Sequence, residues 1–514
     1  MNCKDFTLIT ADSRKVIPGA LFVAVKGFSS DGHNYIQSAI DKGATGIICE
    51  YIPEEYTLRG ACPPPDECRG RGPLDTSPEG TQETMGGAGV KRSVTESPRS
   101  VYSSGVRFEV VENSRRALAL AADEFYGHPS GKLTLVGITG TNGKTTTVTL
   151  LYRLFRGLGY QCGLLSTIAN YVGDERFETD NTTVDPVTLN ALMARMVEKG
   201  CEYCFMEVSS IGVEQDRVTG LEFAMGIFSN LTHDHLDYHK TFAEYLRCKK
   251  LFFDRLGPKA FALINIDDKN GPVMVQNCKA RLVTYSVKGL ADHTARILEQ
   301  GVDGMQLRID GTDTWVRLIG LHNAYNLLAI YSAAVCLGAR PEETLVALST
   351  LESAPGRLEN LSGPRGVTVV LDYAHTPDAL ENVLRCLRTV APDRQLICLF
   401  GCGGDRDKTK RPEMAQVARQ LSDRLVITSD NPRTEDPEAI IADIKAGLEP
   451  RDLAKSLVIT DRKEAIRTAI LTAPDGAVIL LAGKGHEDYQ VIGHEKRPFD
   501  EKEIVNETFK LMLQ

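Results

Sequence analysis

The chain has no apolar run long enough to cross a bilayer, and its first residues, MNCKDFTLIT, lack the charged-then-apolar pattern of a secretion signal. Membrane insertion and export are therefore not expected, and a cytoplasmic protein is. An excess of positive charge is also missing: 59 Lys and Arg stand against 68 Asp and Glu, a net charge of −9. That balance argues against a nucleic-acid partner held by phosphate neutralisation. A disulfide pattern is missing too. The 13 cysteines are odd in number and scattered, which fits reduced thiols better than a disulfide framework. Cys201 and Cys204 form a CxxC, but they flank an apolar strand-like run, and no second CxxC accompanies them. What remains is an ordinary globular composition, 42% hydrophobic and 25% charged over 514 residues. That length exceeds one core and suggests roughly three domains.

The most informative stretch is GITGTNGKTTT, Gly137 to Thr147. The apolar residues Leu133, Leu135, Val136 and Ile138 before it read as a buried parallel strand. Val148, Leu151, Leu154, Phe155 and Leu158 after it recur at helical spacing. The glycines thus fall at a strand-to-helix turn, where backbone N–H groups and the helix dipole favour an anion. Gly140 and Gly143 permit close approach of a phosphate, Lys144 supplies a point charge, and the Thr145 hydroxyl suits Mg²⁺. The strict eight-position P-loop wants Gly where Ile138 stands, so this is a variant of it. A nucleoside triphosphate is the expected ligand.

Along the chain, strand-like runs at 21–25, 45–49 and 108–111 alternate with helix-like stretches at 34–42 and 117–125. Between them, about 52–105, lies a segment rich in Pro, Gly, Ser, Thr and charge without apolar periodicity, expected to be a disordered surface insertion. From Leu133 to about Pro355 strands alternate with amphipathic helices, among them strands at 204–208, 225–229 and 260–265. After Gly356-Arg357 the alternation resumes with strands at 367–371, 396–400, 425–428, 457–459 and 477–482. The expected fold class is α/β. It comprises an N-terminal domain over 1–131, a central P-loop-type doubly wound parallel sheet over 132–355, and a C-terminal Rossmann-like domain over 356–514.

Polar residues crowd the ends of the central strands, where open α/β sheets bind ligands. One strand ends in Glu207 and runs into Ser209-Ser210; another delivers Asn230-Leu231-Thr232-His233-Asp234-His235, with Asp237 and His239 behind. Singly, such residues are more often structural. Together beside a phosphate loop they suit a metal, with Mg²⁺ expected over zinc because the site would face triphosphate oxygens. In the last third, Gly403–Lys408, Asp430–Arg433 and Gly483–Asp488 each follow a strand. Arg grips carboxylates and Asp or Glu hold ammonium, so these loops suit a zwitterionic amino acid better than a merely solvated rim.

The strings TGTNGKTTT, EVSS, NLTHDHLDYH, HNAYN, APGRLE, DYAHTPDAL, GGDRDKTKRP, DNPRTEDP and GKGHEDYQ jointly resemble the Mur ligases of peptidoglycan synthesis, ATP-dependent amide-forming enzymes. Among them the chain is most similar to the branch that adds diaminopimelate, with the resemblance failing only at 52–105. It implies that meso-2,6-diaminopimelate is joined to UDP-N-acetylmuramoyl-L-alanyl-D-glutamate through an acyl phosphate, with ATP and Mg²⁺ and as a monomer. It further implies a catalytic set of Lys144, Glu207, His235 and Lys249. Thr145, Glu207, His235 and a carbamylated Lys249 would serve the metal. Gly140, Thr141, Asn142, Gly143, Lys144, Thr145, Thr146, Asn323, Asn326, Arg357, Asp372 and His375 match nucleotide positions. Ser13, Phe28, Ser29 and Ser30 match contacts to the uridine nucleotide. Asn181, Thr182, Thr183, Ser209, Gln215 and Arg217 match contacts to the sugar-peptide. Arg406, Asp430, Asn431, Pro432, Arg433, Gly483 and Glu487 match the amino-acid pocket.

Two departures bear on the sugar-peptide loops: Val184 stands where the family usually has Pro, and Ile211 where it usually has His. Rival readings are lysine as the added amino acid, folate glutamylation, and a nucleotide-binding regulator without activity. The DNPR loop and GKGHEDYQ weigh against the first two, and intact Lys144, Glu207, His235 and Lys249 against the third.

Overall fold

The computed structural model describes residues 1–27, 30–53, 56, 100–103, 105–179, 181–232 and 236–513. The chain divides into two compact units: Met1–Pro129 with Asp185–Ala191 and Gln215–Leu221, and Ser130–Val184 with Leu192–Glu214 and Glu222–Gln514.

In the first unit, Ile9–Thr10, Leu21–Val23, Gly46–Cys49 and Val106–Val110 lie side by side and parallel, and Ser100–Ser103 closes the edge antiparallel to Val106–Val110. The sheet is covered on both faces, which is why its inner strands Leu21–Val23 and Gly46–Cys49 read as continuous apolar runs. Phe22, Ile47 and Phe108 share one core with Ile36 and Ala39 of the helix Ile36–Asp41. Leu21, Val23 and Ile48 share the other with Leu118 and Ala122 of Ser114–Phe125. That second helix starts where the Asn113 side chain accepts the Arg116 amide, the usual N-cap bond. The strand Ser100–Ser103 corrects the expectation of disorder up to residue 105; most of that expected insertion lies outside the described residues.

The second unit holds two large sheets. The first has eleven strands. Its parallel centre runs Arg281–Ser286, Phe261–Asn265, Met225–Phe228, Thr134–Thr139, Tyr203–Glu207, Cys162–Leu165. Antiparallel hairpins extend both edges: Asn170–Val172 and Glu175–Phe177 on one side, and on the other Gly304–Ile309 and Thr312–Val316, which follow His293–Gly301, itself parallel to Arg281–Ser286. Strict strand–helix alternation fails at these edges for a simple reason. The connectors Gly173-Asp174, Val302-Asp303 and Asp310-Gly311 are two residues each, enough for a hairpin but far short of a crossover. Thr134–Thr139 lies between Met225–Phe228 and Tyr203–Glu207, so the connections on either side part at its C-terminal end, a topological switch point.

The second sheet has the order Glu359–Ser362, Thr368–Asp372, Val478–Ala482, Leu396–Phe400, Arg424–Ile427, Ser456–Val458, all parallel but the first. Helices Pro377–Val390, Lys410–Leu421 and Pro437–Lys445 cover one face through Leu384, Met414 and Ile441. Arg462–Leu471 and Glu501–Met512 cover the other through Ile466, Ile470 and Phe509. The last parallel strand, Val478–Ala482, inserts between the first two, so the loops after Asp372, Phe400 and Ala482 open side by side. No helix among the described residues is long and apolar enough to cross a membrane.

Candidate active site

The glycine-rich loop leaves Thr134–Thr139 and enters the helix Lys144–Gly157. Its first half is stitched to the end of the neighbouring strand. Thr141 N donates to the Asn230 carbonyl (2.9 Å) and Asn142 N to Asn230 Oδ1 (3.0 Å). Ser229 Oγ and Asn230 Nδ2 donate to the Asn142 carbonyl (2.7 and 3.1 Å). Gly140 has φ of 154°, and a Cβ there would stand 1.9 Å from Ser229 Oγ; only glycine lets the two loops meet. Gly143, with φ of 89°, opens the helix, and its missing Cβ leaves room for Asn326 Oδ1, which would be 2.5 Å away. The helix begins with no side-chain cap, the condition in which an N-terminus takes up an anion.

Four expected site residues converge on this loop. Lys144 Nζ turns back onto the carbonyls of Gly140 (2.9 Å) and Thr141 (2.8 Å). Lys249, buried on the capped helix Phe242–Asp254, donates to the same Gly140 carbonyl (2.8 Å) and lies 4.7 Å from the centre of the Tyr245 ring. Thr145 Oγ1 donates to Glu207 Oε2 (3.0 Å), and Glu207 Oε1 accepts the Thr167 amide (2.8 Å). Thr146 is buried on the same turn. A buried hydroxyl beside a buried carboxylate is an oxygen donor set of the kind Mg²⁺ takes. His235 lies outside the described residues, and among the described residues no group of three His, Cys, Asp or Glu is placed to hold a metal. Tyr245, which the sequence did not single out, shares a hydrogen bond of 3.1 Å with Thr141 Oγ1.

The other nucleotide candidates approach from two sides. Asn326 beside Gly143 donates to Asn323 Oδ1 (3.1 Å), and Asn323 Nδ2 to the Ile319 carbonyl (2.9 Å), both from the helix Leu321–Cys336. Thr232, whose amide donates to Thr141 Oγ1 (3.0 Å), carries a hydroxyl 3.5 Å from Asp378 Oδ2, so the loop side and the DYAHTPD segment touch. Within that segment Asp372 accepts the Leu358 and Ala374 amides (both 2.8 Å), and burial raises its carboxyl above the usual range, opposed by Arg357. The Arg357 guanidinium stacks over Tyr373 at 4.9 Å, with its buried Nε unpaired. His375 is exposed, its Nδ1 2.8 Å from the Tyr373 carbonyl.

The sugar-peptide and uridine candidates divide between the two units. In the first, the half-buried Ser13 offers its carbonyl to Lys42 (2.9 Å), the Ser30 carbonyl accepts Gly27 N (2.9 Å), and Arg217 binds Gln215 Oε1 through Nε and Nη2 (3.2 and 2.8 Å). Phe28 and Ser29 lie outside the described residues. In the second, Thr183 Oγ1 donates to the Glu207 carbonyl (2.9 Å) and accepts Ser209 N (3.1 Å), tying that loop to the end of the strand that carries Glu207. Thr182 accepts from Thr167 Oγ1 (3.1 Å), and the exposed Asn181 accepts at its carbonyl from Thr179 Oγ1 (2.9 Å).

The charged loops of the C-terminal sheet do assemble. Arg433 sits in left-handed backbone (φ 52°), donates through Nη1 to the Gly404 carbonyl (2.8 Å), and is bracketed by Val491 and Gly493 of the hairpin Tyr489–Pro498. The exposed Arg406 lies on the facing loop, where Gly404 N donates to the Asn431 carbonyl (2.9 Å) and the Pro432 carbonyl accepts Glu435 N (3.1 Å). Asn431 Nδ2 donates to Glu487 Oε2 (2.8 Å), and Gly483 N to the Asp372 carbonyl (3.0 Å). Beneath them lie three buried cations, of which the sequence marks only Lys484, within the charged Gly483–Asp488 loop. Lys484, fully buried, reaches Asn431 Oδ1, Glu487 Oε2 and Asp430 Oδ1 (3.0, 3.2 and 3.7 Å). Arg411, also fully buried, pairs with Glu435 and Asp443 (2.9 and 2.8 Å), and Arg462 with Glu501 (2.6 Å). Arg411 and Lys408 hold the Glu435 carboxyl down to about 2. Both arginines were hidden by their setting, since Arg on an amphipathic helix usually reads as surface.

The match to known proteins is chain-wide. Residues 138–334 match the Mur ligase middle domain, 356–485 the Mur ligase glutamate ligase domain, and 5–58 the Mur ligase family catalytic domain. A UDP-N-acetylmuramoyl-L-alanyl-D-glutamate–2,6-diaminopimelate ligase of Parabacteroides distasonis is 50% identical over 98% of this chain and 95% of its own. One of the same name from Bacillus cereus is 38% identical over 98% and 94%. A solved structure of a ligase of that name superposes with a TM-score of 0.68 at 28% identity, covering 99% of this chain and 96% of that one. A folylpolyglutamate synthase of Mycobacterium tuberculosis shares the fold alone, with a TM-score of 0.56 at 18% identity over 72% of this chain and 92% of its own. With three family domains in order and half of all residues shared with a full-length relative, this chain belongs to the Mur ligase family.

Proposed function

We propose that this protein is the ATP-dependent ligase that adds meso-2,6-diaminopimelate to UDP-N-acetylmuramoyl-L-alanyl-D-glutamate, giving the tripeptide nucleotide, ADP and phosphate. What supports the choice of amino acid is one observation: the Asp430–Arg433 and Gly483–Glu487 loops clasp through Asn431 and Glu487 beside two arginines. That juxtaposition offers carboxylate for ammonium and guanidinium for carboxylate, as a diamino dicarboxylic acid requires.

The chemistry follows from charge. A carboxylate is a poor acyl donor; transfer of the ATP γ-phosphoryl to it makes an acyl phosphate, which the amine of diaminopimelate attacks, expelling phosphate. Phosphoryl transfer needs positioning and charge neutralisation more than covalent help. Lys144 and the uncapped helix start at Gly143 serve the phosphates, and Asn323, Asn326 and Arg357 the nucleotide. Thr145 and Glu207 would hold Mg²⁺, which supplies further neutralisation of the triphosphate. His235 belongs to the same proposal. So does a carbamate on Lys249, which would exchange an ammonium donor for oxygen ligands. The proposed organisation is a monomer in the cytoplasm, where ATP is supplied, with lobes over 1–131, 132–355 and 356–514.

The test is phosphate release from ATP with each substrate omitted in turn. Release is expected only when the muramyl dipeptide nucleotide and diaminopimelate are both present. Equal release with lysine in place of diaminopimelate would overturn the choice of amino acid, and release without either substrate would overturn the ligase.

A further inference from the structure

Beneath the amino-acid loops lies a layer of charge with no place in the reaction just described. Lys484 is fully buried, its ammonium set between two carboxylates, Glu487 at 3.2 Å and Asp430 at 3.7 Å, with Asn431 Oδ1 at 3.0 Å. Asn431 Oδ1 also accepts the Val491 amide (2.9 Å), and its Nδ2 donates to Glu487 Oε2 (2.8 Å). Glu487 Oε2 thus takes two donors, and its amide donates to the Lys484 carbonyl (3.0 Å), so the side chain is pinned at both ends of a tight turn. Deeper still, Arg462 and Glu501 neutralise each other at 2.6 Å, and Arg462 Nη2 donates to the Ala482 carbonyl (2.9 Å), just before Gly483.

We infer that Lys484 is the positioning residue of the amino-acid pocket: it holds Glu487 Oε2 and Asn431 so that Glu487 presents Oε1 to an ammonium of the incoming amino acid. The inference rests on the ligase reading above. Charge supports it. One ammonium between two carboxylates leaves a single negative charge at the pocket floor, the complement of one substrate ammonium. Without Lys484 the two carboxylates would repel each other, or take up a proton, and neither state offers a fixed, charged Oε1. Lys484 itself is fully buried, so its part is to position Glu487 and Asn431.

The experiment is a double-mutant cycle on the full chain, with KM for diaminopimelate, ATP and the muramyl nucleotide measured separately. Lys484→Met keeps the stem and removes the charge. It is expected to raise the KM for diaminopimelate roughly tenfold or more, since a buried charge loses its partner, while the other two KM values stay within about twofold. In a Glu487→Gln background the same substitution is expected to add little, because the group it positions has already lost its charge. Should Lys484→Met fail to fold, Lys484→Gln, which can still donate to Asn431, takes its place in the cycle. Equal shifts in all three KM values, or full additivity with Glu487→Gln, would overturn the inference. Loss of diaminopimelate-dependent turnover in the unmodified protein would instead overturn the ligase reading, so the two failures are distinguishable.

Discussion

The glycine-rich loop and the proposed amino-acid pocket are built by opposite means. In the loop, side chains lean on backbone: Lys144 and Lys249 share the Gly140 carbonyl, and Thr141 and Asn142 amides are held by Asn230. In the pocket, side chains lean on side chains: Lys484 on Glu487 and Asn431, Arg411 on Glu435 and Asp443, Arg462 on Glu501. A backbone partner survives any substitution of its residue, whereas a side-chain partner left behind in the interior becomes an unpaired charge. Function and stability should therefore separate cleanly in the loop and stay entangled in the pocket.

The largest expected effect tests the loop half of that contrast. Lys144→Ala removes a charge from the phosphates but leaves the carbonyls it rested on in place. Turnover is expected to fall by about 10²–10³-fold, with a change in stability within ~1 kcal/mol, read by coupled phosphate release and thermal unfolding. A large loss of stability with modest loss of turnover would mean that Lys144 is structural. Arg433→Lys probes the pocket half. A lysine cannot reproduce the planar fork, and the Gly404 carbonyl would lose its guanidinium donor. The KM for diaminopimelate should rise ~10-fold or more while that for ATP holds, and, because Arg433 leans on a backbone carbonyl where its neighbours lean on side chains, the melting temperature should stay close to the parent's. Equal losses for both substrates would dissolve the distinction between the two regions.

The same contrast explains what the sequence could reveal. The loop is contiguous, so strand, glycines, lysine and helix are legible in their required order, and the cores of the three large sheets follow from apolar runs. The pocket draws on residues from Gly403 to Glu487, and its loops were legible as charged strand ends while the partners beneath them were not. Nothing local marks Arg411 or Arg462 as buried; each becomes so only when Glu435 or Glu501 arrives from elsewhere in the chain. The edge hairpins depart from strand–helix alternation for another reason: Gly173-Asp174 and Asp310-Gly311 are two-residue turn signals, too short for a crossover helix. His235, Phe28 and Ser29 stay where the sequence left them, outside the described residues.

The smallest expected effect concerns His486, at the seam where the GKGHED loop packs against Tyr373 with ring centres 5.1 Å apart. Burial, with Arg357 nearby, pushes its imidazole down to about 4 from the ordinary 6.5, and its buried Nδ1 has no hydrogen-bond partner. Folded protein therefore keeps His486 neutral where the unfolded chain would already be protonated. Proton uptake by the unfolded state favours unfolding, so the contribution is fully present above about 6.5 and is lost as pH falls through about 4. His486→Phe preserves a ring against Tyr373 and removes the titration. Between those two pH values its melting temperature should fall less than that of the parent, by ~2–4 °C at the acid end. Parallel curves would show that water reaches the imidazole, and that this seam is looser than the side-chain-built pocket beside it.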